Sequence, residues 1–128
     1  ETTWPVHCVS DAPGSDYAPE LVTDAVTHHV RKGQGVPAYS AFEGVTDDGA
    51  RLADLLRDAG VTEVEVTGIA TDYCVRATAL DAVGLGFGVT LVEDGCRAVE
   101  LAPPAGDCGS GLRCMGVNIT GPVTMSGC

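Results

Sequence analysis

The chain has few aromatic residues and few basic ones. Only 5% of its 128 residues are aromatic, and seven Lys and Arg stand against 18 Asp and Glu, for a formal net charge of −11. A phosphate-backbone partner requires dense Lys and Arg, so we expect no nucleic-acid binding. No stretch is long and apolar enough to span a bilayer, so we expect no membrane partner and a cytoplasmic protein.

The cysteine count leaves two classes of protein open. A secreted domain with a disulfide framework would suit the six cysteines, which are Cys8, Cys74, Cys96, Cys108, Cys114 and Cys128. Against that class, the chain has no CxxC pair, and its first half alternates helices and strands as a domain without disulfide bonds does. The disulfide framework therefore stays a distant alternative to an ordinary globular domain, and the length allows one domain at most.

Hydrophobic patterning predicts an α/β fold with a parallel sheet. Strands are predicted over three segments, Ala25–Arg31, Val64–Thr67 and Phe87–Val92, the last ended by Glu93–Gly95. One helix is predicted around Leu52, Leu55, Leu56 and Ala59, with Thr46 as N-cap and Gly60 as its stop. A second helix is predicted from Cys74 to about Val83.

Lys32 and Cys74 both follow predicted strands, and ligands of open parallel sheets bind at the carboxyl ends of the strands. Unpaired N–H groups at a helix start stabilise a thiolate, so Cys74 is the leading candidate nucleophile. Lys32 could hold that thiolate and help to move its proton. The alternatives are a small buried cysteine and a solvated lysine at a strand end.

The three histidines indicate a functional site less clearly than Lys32 and Cys74 do. His7 lies in a Trp-Pro-x-His loop. Catalytic zinc takes about three protein ligands, so on its own His7 is interpreted as a solvent-facing loop residue. His28 and His29 are adjacent on a predicted strand and would point to opposite faces, which excludes joint chelation of one ion.

Several segments together resemble the nicotinamidase/pyrazinamidase branch of the isochorismatase-like cysteine hydrolases. The matching segments are Trp4–Val9 with Pro13–Gly14, then Arg31–Gly33, Tyr39–Gly44 and, most specifically, Gly68–Asp81. Their order and spacing agree from Trp4 to about Ala98. The resemblance implies a three-layer α/β/α fold with a parallel sheet, whose first strand is missing from this chain. Residues 1–101 would form a partial hydrolase domain.

Residues 102–128 depart from the family pattern. This Gly-, Pro- and Cys-containing tail lacks periodicity, apart from a weak strand signal at Val117–Thr120. We interpret it as loop, or as a degraded form of the last helix and strand of the family.

The resemblance also implies roles for individual residues. Cys74 would attack a pyridine carboxamide and form a thioester, with Lys32 as the lysine of the catalytic triad. The Ile69–Ala70 peptide would be cis, and the N–H groups of Ala70 and Cys74 would form the oxyanion hole. The ring pocket would be lined by Trp4, Tyr39 and Tyr73. His7 would be one ligand of a divalent metal, which is zinc, iron or manganese in this family.

The function implied is conversion of nicotinamide to nicotinate and ammonia in NAD salvage. Only Glu1–Thr3 precede Trp4, and no residue matches the catalytic aspartate or the Asp-x-His metal segment of the family. We therefore expect little or no amidase activity from the chain on its own. The alternatives are an amidase for a carbamoyl or ureido amide and a non-catalytic pseudoenzyme. The sequence leaves the oligomeric state open, with a homo-oligomer among the options.

Overall fold

A three-stranded parallel sheet organises the part of the chain that the computed structural model describes, which is residues 4–99, 112 and 116–120. Its helices and strands, in chain order, are α1 Leu52–Asp58, β1 Glu63–Ile69, α2 Arg76–Gly84, β2 Gly88–Arg97 and β3 Asn118–Thr120. The strand order is β1-β2-β3, and both neighbouring pairs are parallel. A π-helical turn, Thr71–Val75, joins β1 to α2. The predicted parallel α/β architecture is confirmed.

The core lies where α2 packs against the central strand. Val89 and Leu91 alternate on one face of β2 and are almost fully buried, as the period of a strand requires. Ala79 and Ala82 are fully buried on α2. Leu112 and Val117, beyond β2 in sequence, belong to the same buried cluster. This packing fixes the start of α2, and with it the position of the Cys74 turn.

Glycines end both helices with the same hydrogen-bond pattern. After α1, Val61 N–H donates to Leu56 O (2.9 Å) and Gly60 N–H donates to Arg57 O (3.0 Å). After α2, Phe87 N–H donates to Ala82 O and Gly86 N–H donates to Val83 O, each at 3.0 Å. These pairs define Schellman motifs, and φ is +73° at Gly60 and +92° at Gly86. The predicted stop at Gly60 is confirmed.

The other strand predictions fare unequally. The strand predicted at Val64–Thr67 is confirmed by β1, and the weak strand signal at Val117–Thr120 corresponds to β3, where a loop was the main interpretation. The predicted end of the next strand at Glu93–Gly95 is wrong, since β2 continues to Arg97 through an irregularity in register. An advance of two positions along β1, from Val66 to Gly68, corresponds to an advance of five along β2, from Leu91 to Cys96. The Thr67 hydroxyl donates to Gly95 O (2.7 Å), and buried Cys96 then resumes the pairing.

The strand predicted at Ala25–Arg31 is wrong. Arg31 forms only an isolated antiparallel bridge with Val45, and no described segment pairs with residues 25–30. Residues 25–29 are exposed, so the side chains of the segment before Val30 lack the half-buried surface that stabilises a strand.

Thr46 is not the N-cap of α1, which is Arg51 with no side-chain cap. The Thr46 hydroxyl instead accepts from Ala50 N–H (2.9 Å) and donates to Asp48. The bond from Thr46 holds the pKa of the Asp48 carboxyl below its ordinary value. Thr46 therefore closes the turn that precedes the helix.

No helix of the described residues has both the length and the apolar character needed to cross a membrane. Apart from Leu112 and residues 116–120, the predicted tail 102–128 lies outside the described residues.

Gly44 gives a test of this fold. A Cβ there would lie 2.8 Å from both Arg31 O and Val30 Cγ1, because the chain segments around residues 31 and 45 approach closely. We expect Gly44→Ala to destabilise the protein by about 1–3 kcal/mol, as overpacking does. Gly84→Ala is the matched control, since a Cβ there meets nothing within 4 Å and alanine favours a helix. Urea unfolding measures both, and a Gly44→Ala stability equal to that of Gly84→Ala would contradict the close approach.

Candidate active site

Lys32 and Cys74 meet although 42 positions separate them in sequence, with Lys32 Nζ 3.5 Å from Cys74 Sγ. Both residues are half-buried. Cys74 lies in the π-helical turn after β1, while Lys32 comes directly after the Arg31–Val45 bridge. An ammonium at this distance stabilises a thiolate, which is the reactive form of a cysteine. The pair can therefore supply a nucleophile.

The ammonium of Lys32 is oriented by a backbone carbonyl as well. Lys32 Nζ donates to Ala38 O at 3.2 Å. Over residues 4–99, 112 and 116–120, no carboxylate forms an ion pair with Lys32. Its two polar contacts are thus one carbonyl and the thiol of Cys74.

The turn around Cys74 is closed by one carbonyl. Ala70 O accepts from Tyr73 N–H (3.1 Å) and from Val75 N–H (3.0 Å). The Ile69–Ala70 peptide bond is cis. π-helical turns occur frequently at functional sites. Asp72 Oδ1 accepts from Val99 N–H (3.0 Å). That bond ties the turn to the segment after β2.

Three aromatic side chains touch one another beside this turn. The Trp4 indole N–H donates to the Tyr39 hydroxyl (2.8 Å). Tyr73, which precedes Cys74 in sequence, lies 4.9 Å from Trp4 edge-on and 5.5 Å from Tyr39, measured between ring centroids. These three residues, here called the aromatic wall, form an aromatic surface that includes the residue preceding Cys74, with polar atoms at its edge.

A capping box that was not predicted from the sequence fixes the backbone of Tyr39, one residue of the aromatic wall. Glu43 Oε2 accepts from the N–H groups of Tyr39 (3.1 Å) and Ser40 (3.0 Å), and Ser40 Oγ accepts from Phe42 N–H (3.2 Å). Ser40 is buried. The Ser-x-x-Glu spacing is the signature of this motif, so the sequence carried the signal.

His7 lies at the edge of the aromatic wall, with its ring centroid 6.5 Å from that of Trp4. It lines a cleft of about 510 Å³ together with Cys8, Arg31 and Lys32. His7 Nδ1 is 2.6 Å from Pro5 O, which leaves Nε2 for a ligand. No group of three His, Cys, Asp or Glu among the described residues could hold a metal ion, so they do not form a complete metal centre. His29 lies apart from these residues and contacts Tyr17.

A family model for the isochorismatase domain matches residues 1–105. The nicotinamidase/pyrazinamidase of Mycobacterium tuberculosis is 50% identical over 93 residues, which cover 73% of this chain and 50% of the relative. Among solved structures, the pyrazinamidase of Pyrococcus horikoshii in complex with zinc has a TM-score of 0.72 at 39% identity, covering 92% of this chain and 63% of that one.

The structure of PnC1 from L. infantum in complex with nicotinate has a TM-score of 0.78 at 38% identity, covering 92% of this chain and 60% of that one. The chain spans about half the length of the curated relatives it matches.

The contact between Lys32 and Cys74 can be tested by alkylation. Lys32→Met removes the positive charge from the thiol at similar side-chain length, and we expect iodoacetamide to modify Cys74 about tenfold more slowly at pH 7. Peptide mass spectrometry separates Cys74 from exposed Cys8 and buried Cys96. Arg31→Met is the matched control, because Arg31 points to Asp47 at 3.5 Å. Equal Cys74 rates in the two variants would contradict a role for Lys32.

Proposed function

The chain belongs to the isochorismatase domain family, and we propose that its Cys74 site acts in the hydrolysis of nicotinamide to nicotinate and ammonia. The observation that carries this proposal is the 3.5 Å contact between Lys32 Nζ and Cys74 Sγ beside the aromatic wall. A cysteine thiol beside an ammonium and an aromatic surface suits a flat ring that bears a reactive carboxamide. We place the reaction in cytoplasmic nicotinamide salvage.

The chemistry assigned to Cys74 is acyl transfer in two steps. The thiolate adds to the carboxamide carbon, and the electrons of the carbonyl double bond move to oxygen. Collapse of this adduct breaks the C–N bond, and the departing nitrogen takes the proton given up by the thiol, so that ammonia leaves a thioester. Water then adds to the thioester carbon and breaks the C–S bond, which releases the acid and restores the thiol.

The neighbouring residues take supporting roles in this proposal. Lys32 balances the charge of the thiolate and helps to move its proton. The N–H groups of Ala70 and Cys74 are assigned to stabilise the oxyanion. The aromatic wall of Trp4, Tyr39 and Tyr73 packs against the pyridine ring. Both the nicotinate complex of the L. infantum protein and the name of the M. tuberculosis relative support this substrate.

The proposal includes a divalent metal and assigns it one ligand in this chain. His7 Nε2 is assigned as one ligand, and the zinc complex of the P. horikoshii pyrazinamidase supports a metal of this charge, with iron and manganese as the other options. Since the described residues do not complete a metal centre, no step of the reaction is assigned to the metal.

Nicotinaldehyde, the aldehyde counterpart of nicotinamide, tests the substrate assignment. Addition of Cys74 to the aldehyde gives a thiohemiacetal that cannot lose ammonia. We expect nicotinaldehyde to protect Cys74 from iodoacetamide and to quench the fluorescence of Trp4, the one tryptophan of the chain. Acetaldehyde, which has no ring, is the matched control. Equal protection by both aldehydes, or protection without quenching, would contradict binding of the ring at the aromatic wall.

Turnover is a separate measurement, read as ammonia release from nicotinamide with Cys74→Ala as the blank. We expect slow release, since no carboxylate among the described residues pairs with Lys32 and a general base contributes about 10²–10⁴-fold in rate. Release at the rate of a complete enzyme would overturn that expectation. A panel containing carbamoyl and ureido amides separates the nicotinamide assignment from the alternative substrates.

A further inference from the structure

We propose that Thr78 is a positioning residue that sets the distance between the Cys74 nucleophile and the aromatic wall, an inference that rests on the proposed function. Thr78 lies one helical turn after Cys74, on α2. Its hydroxyl donates to Cys74 O (2.7 Å) and accepts from Ala41 N–H (2.9 Å). The Thr78 side chain thus joins the backbone of Cys74 to Ala41, which lies 37 positions before Thr78 in the sequence.

The bond to Ala41 meets a need of the backbone. Ala41 is the first residue of the 3-10 turn Ala41–Glu43, and N–H groups at the start of a helical turn have no acceptor within it. Ala41 is half-buried, so loss of its acceptor would leave a partly desolvated donor. A threonine hydroxyl in mid-helix ordinarily bonds back only to the carbonyl four residues earlier. Thr78 makes that bond and also accepts from another segment.

The segment held by Thr78 carries the aromatic wall. Ser40 precedes Ala41 and, with Glu43, forms the capping box that fixes the backbone of Tyr39. Tyr39 in turn accepts from Trp4. Thr78 therefore connects the carbonyl of Cys74 to the backbone behind Tyr39. Lys32 Nζ bonds Cys74 Sγ and Ala38 O and makes no bond to Thr78, so removing the Thr78 hydroxyl takes away neither contact of the ammonium.

Two substitutions separate the hydroxyl from the shape of the side chain. Thr78→Val keeps the shape and removes both hydrogen bonds, whereas Thr78→Ser keeps the hydroxyl and removes a methyl group. Two measurements are made on each variant: the rate of Cys74 alkylation by iodoacetamide alone, and the nicotinaldehyde concentration that gives half-maximal protection.

We expect Thr78→Val to raise the half-protecting concentration of nicotinaldehyde about tenfold, the factor that corresponds to losing roughly one or two ordinary hydrogen bonds. Alkylation without aldehyde should stay within about twofold of the unmodified chain, because Lys32 is not held by Thr78. Thr78→Ser should restore protection. Tight protection in Thr78→Val, or a Thr78→Ser variant as weak as Thr78→Val, would overturn the proposal.

Failure of the proposed function has a different signature, since nicotinaldehyde would then fail to protect Cys74 even in the unmodified chain. Amide exchange at Ala41 in the unmodified chain tests the bond directly, without relying on any variant to fold. We expect protection of the Ala41 N–H, and exchange as fast as that of exposed loop amides would overturn the inference.

Discussion

The contact between Lys32 Nζ and Cys74 Sγ is the interaction on which the site depends, and neither residue secures it alone. Cys74 is placed by the sheet, because β1 delivers the chain to the π-helical turn and the packing of α2 on β2 fixes the helix after that turn. Lys32 is placed by the bridge between Arg31 and Val45, which the small size of Gly44 permits. A half-buried ammonium and thiol stay together because both backbones are fixed elsewhere.

The groups around the Lys32–Cys74 pair come from separate segments of the chain. Charge comes from Lys32, and its ammonium is oriented by Ala38 O. The apolar surface comes from the aromatic wall, supported by the capping box of Ser40 and Glu43. In our inference Thr78 joins this surface to the nucleophile. Because different residues supply charge and surface, substitutions can change the surroundings of the thiol and the aromatic wall separately.

Much of the fold could be predicted from local sequence pattern, and the predictions that were wrong failed for physical reasons. The β-branched run before Gly68 and the glycine stop at Gly60 report local preferences, and both predictions were confirmed. A strand at Ala25–Arg31 needed a partner that local sequence does not contain. The extension of β2 depends on Thr67 bonding Gly95, a contact between distant positions. At the site, the motif around Cys74 predicted a nucleophile. The hydrogen bond from Ala41 N–H to the Thr78 hydroxyl joins distant positions, so no local sequence pattern predicts it.

The most direct test of this account is a crystal structure of the chain after reaction with nicotinaldehyde. The account predicts a covalent bond from Cys74 Sγ to the aldehyde carbon, with the pyridine ring packed against Trp4, Tyr39 and Tyr73. It also predicts the former carbonyl oxygen within hydrogen-bond distance of the Ala70 and Cys74 N–H groups. An adduct on Cys8 or Cys96 in place of Cys74, or a ring directed away from the aromatic wall, would contradict it.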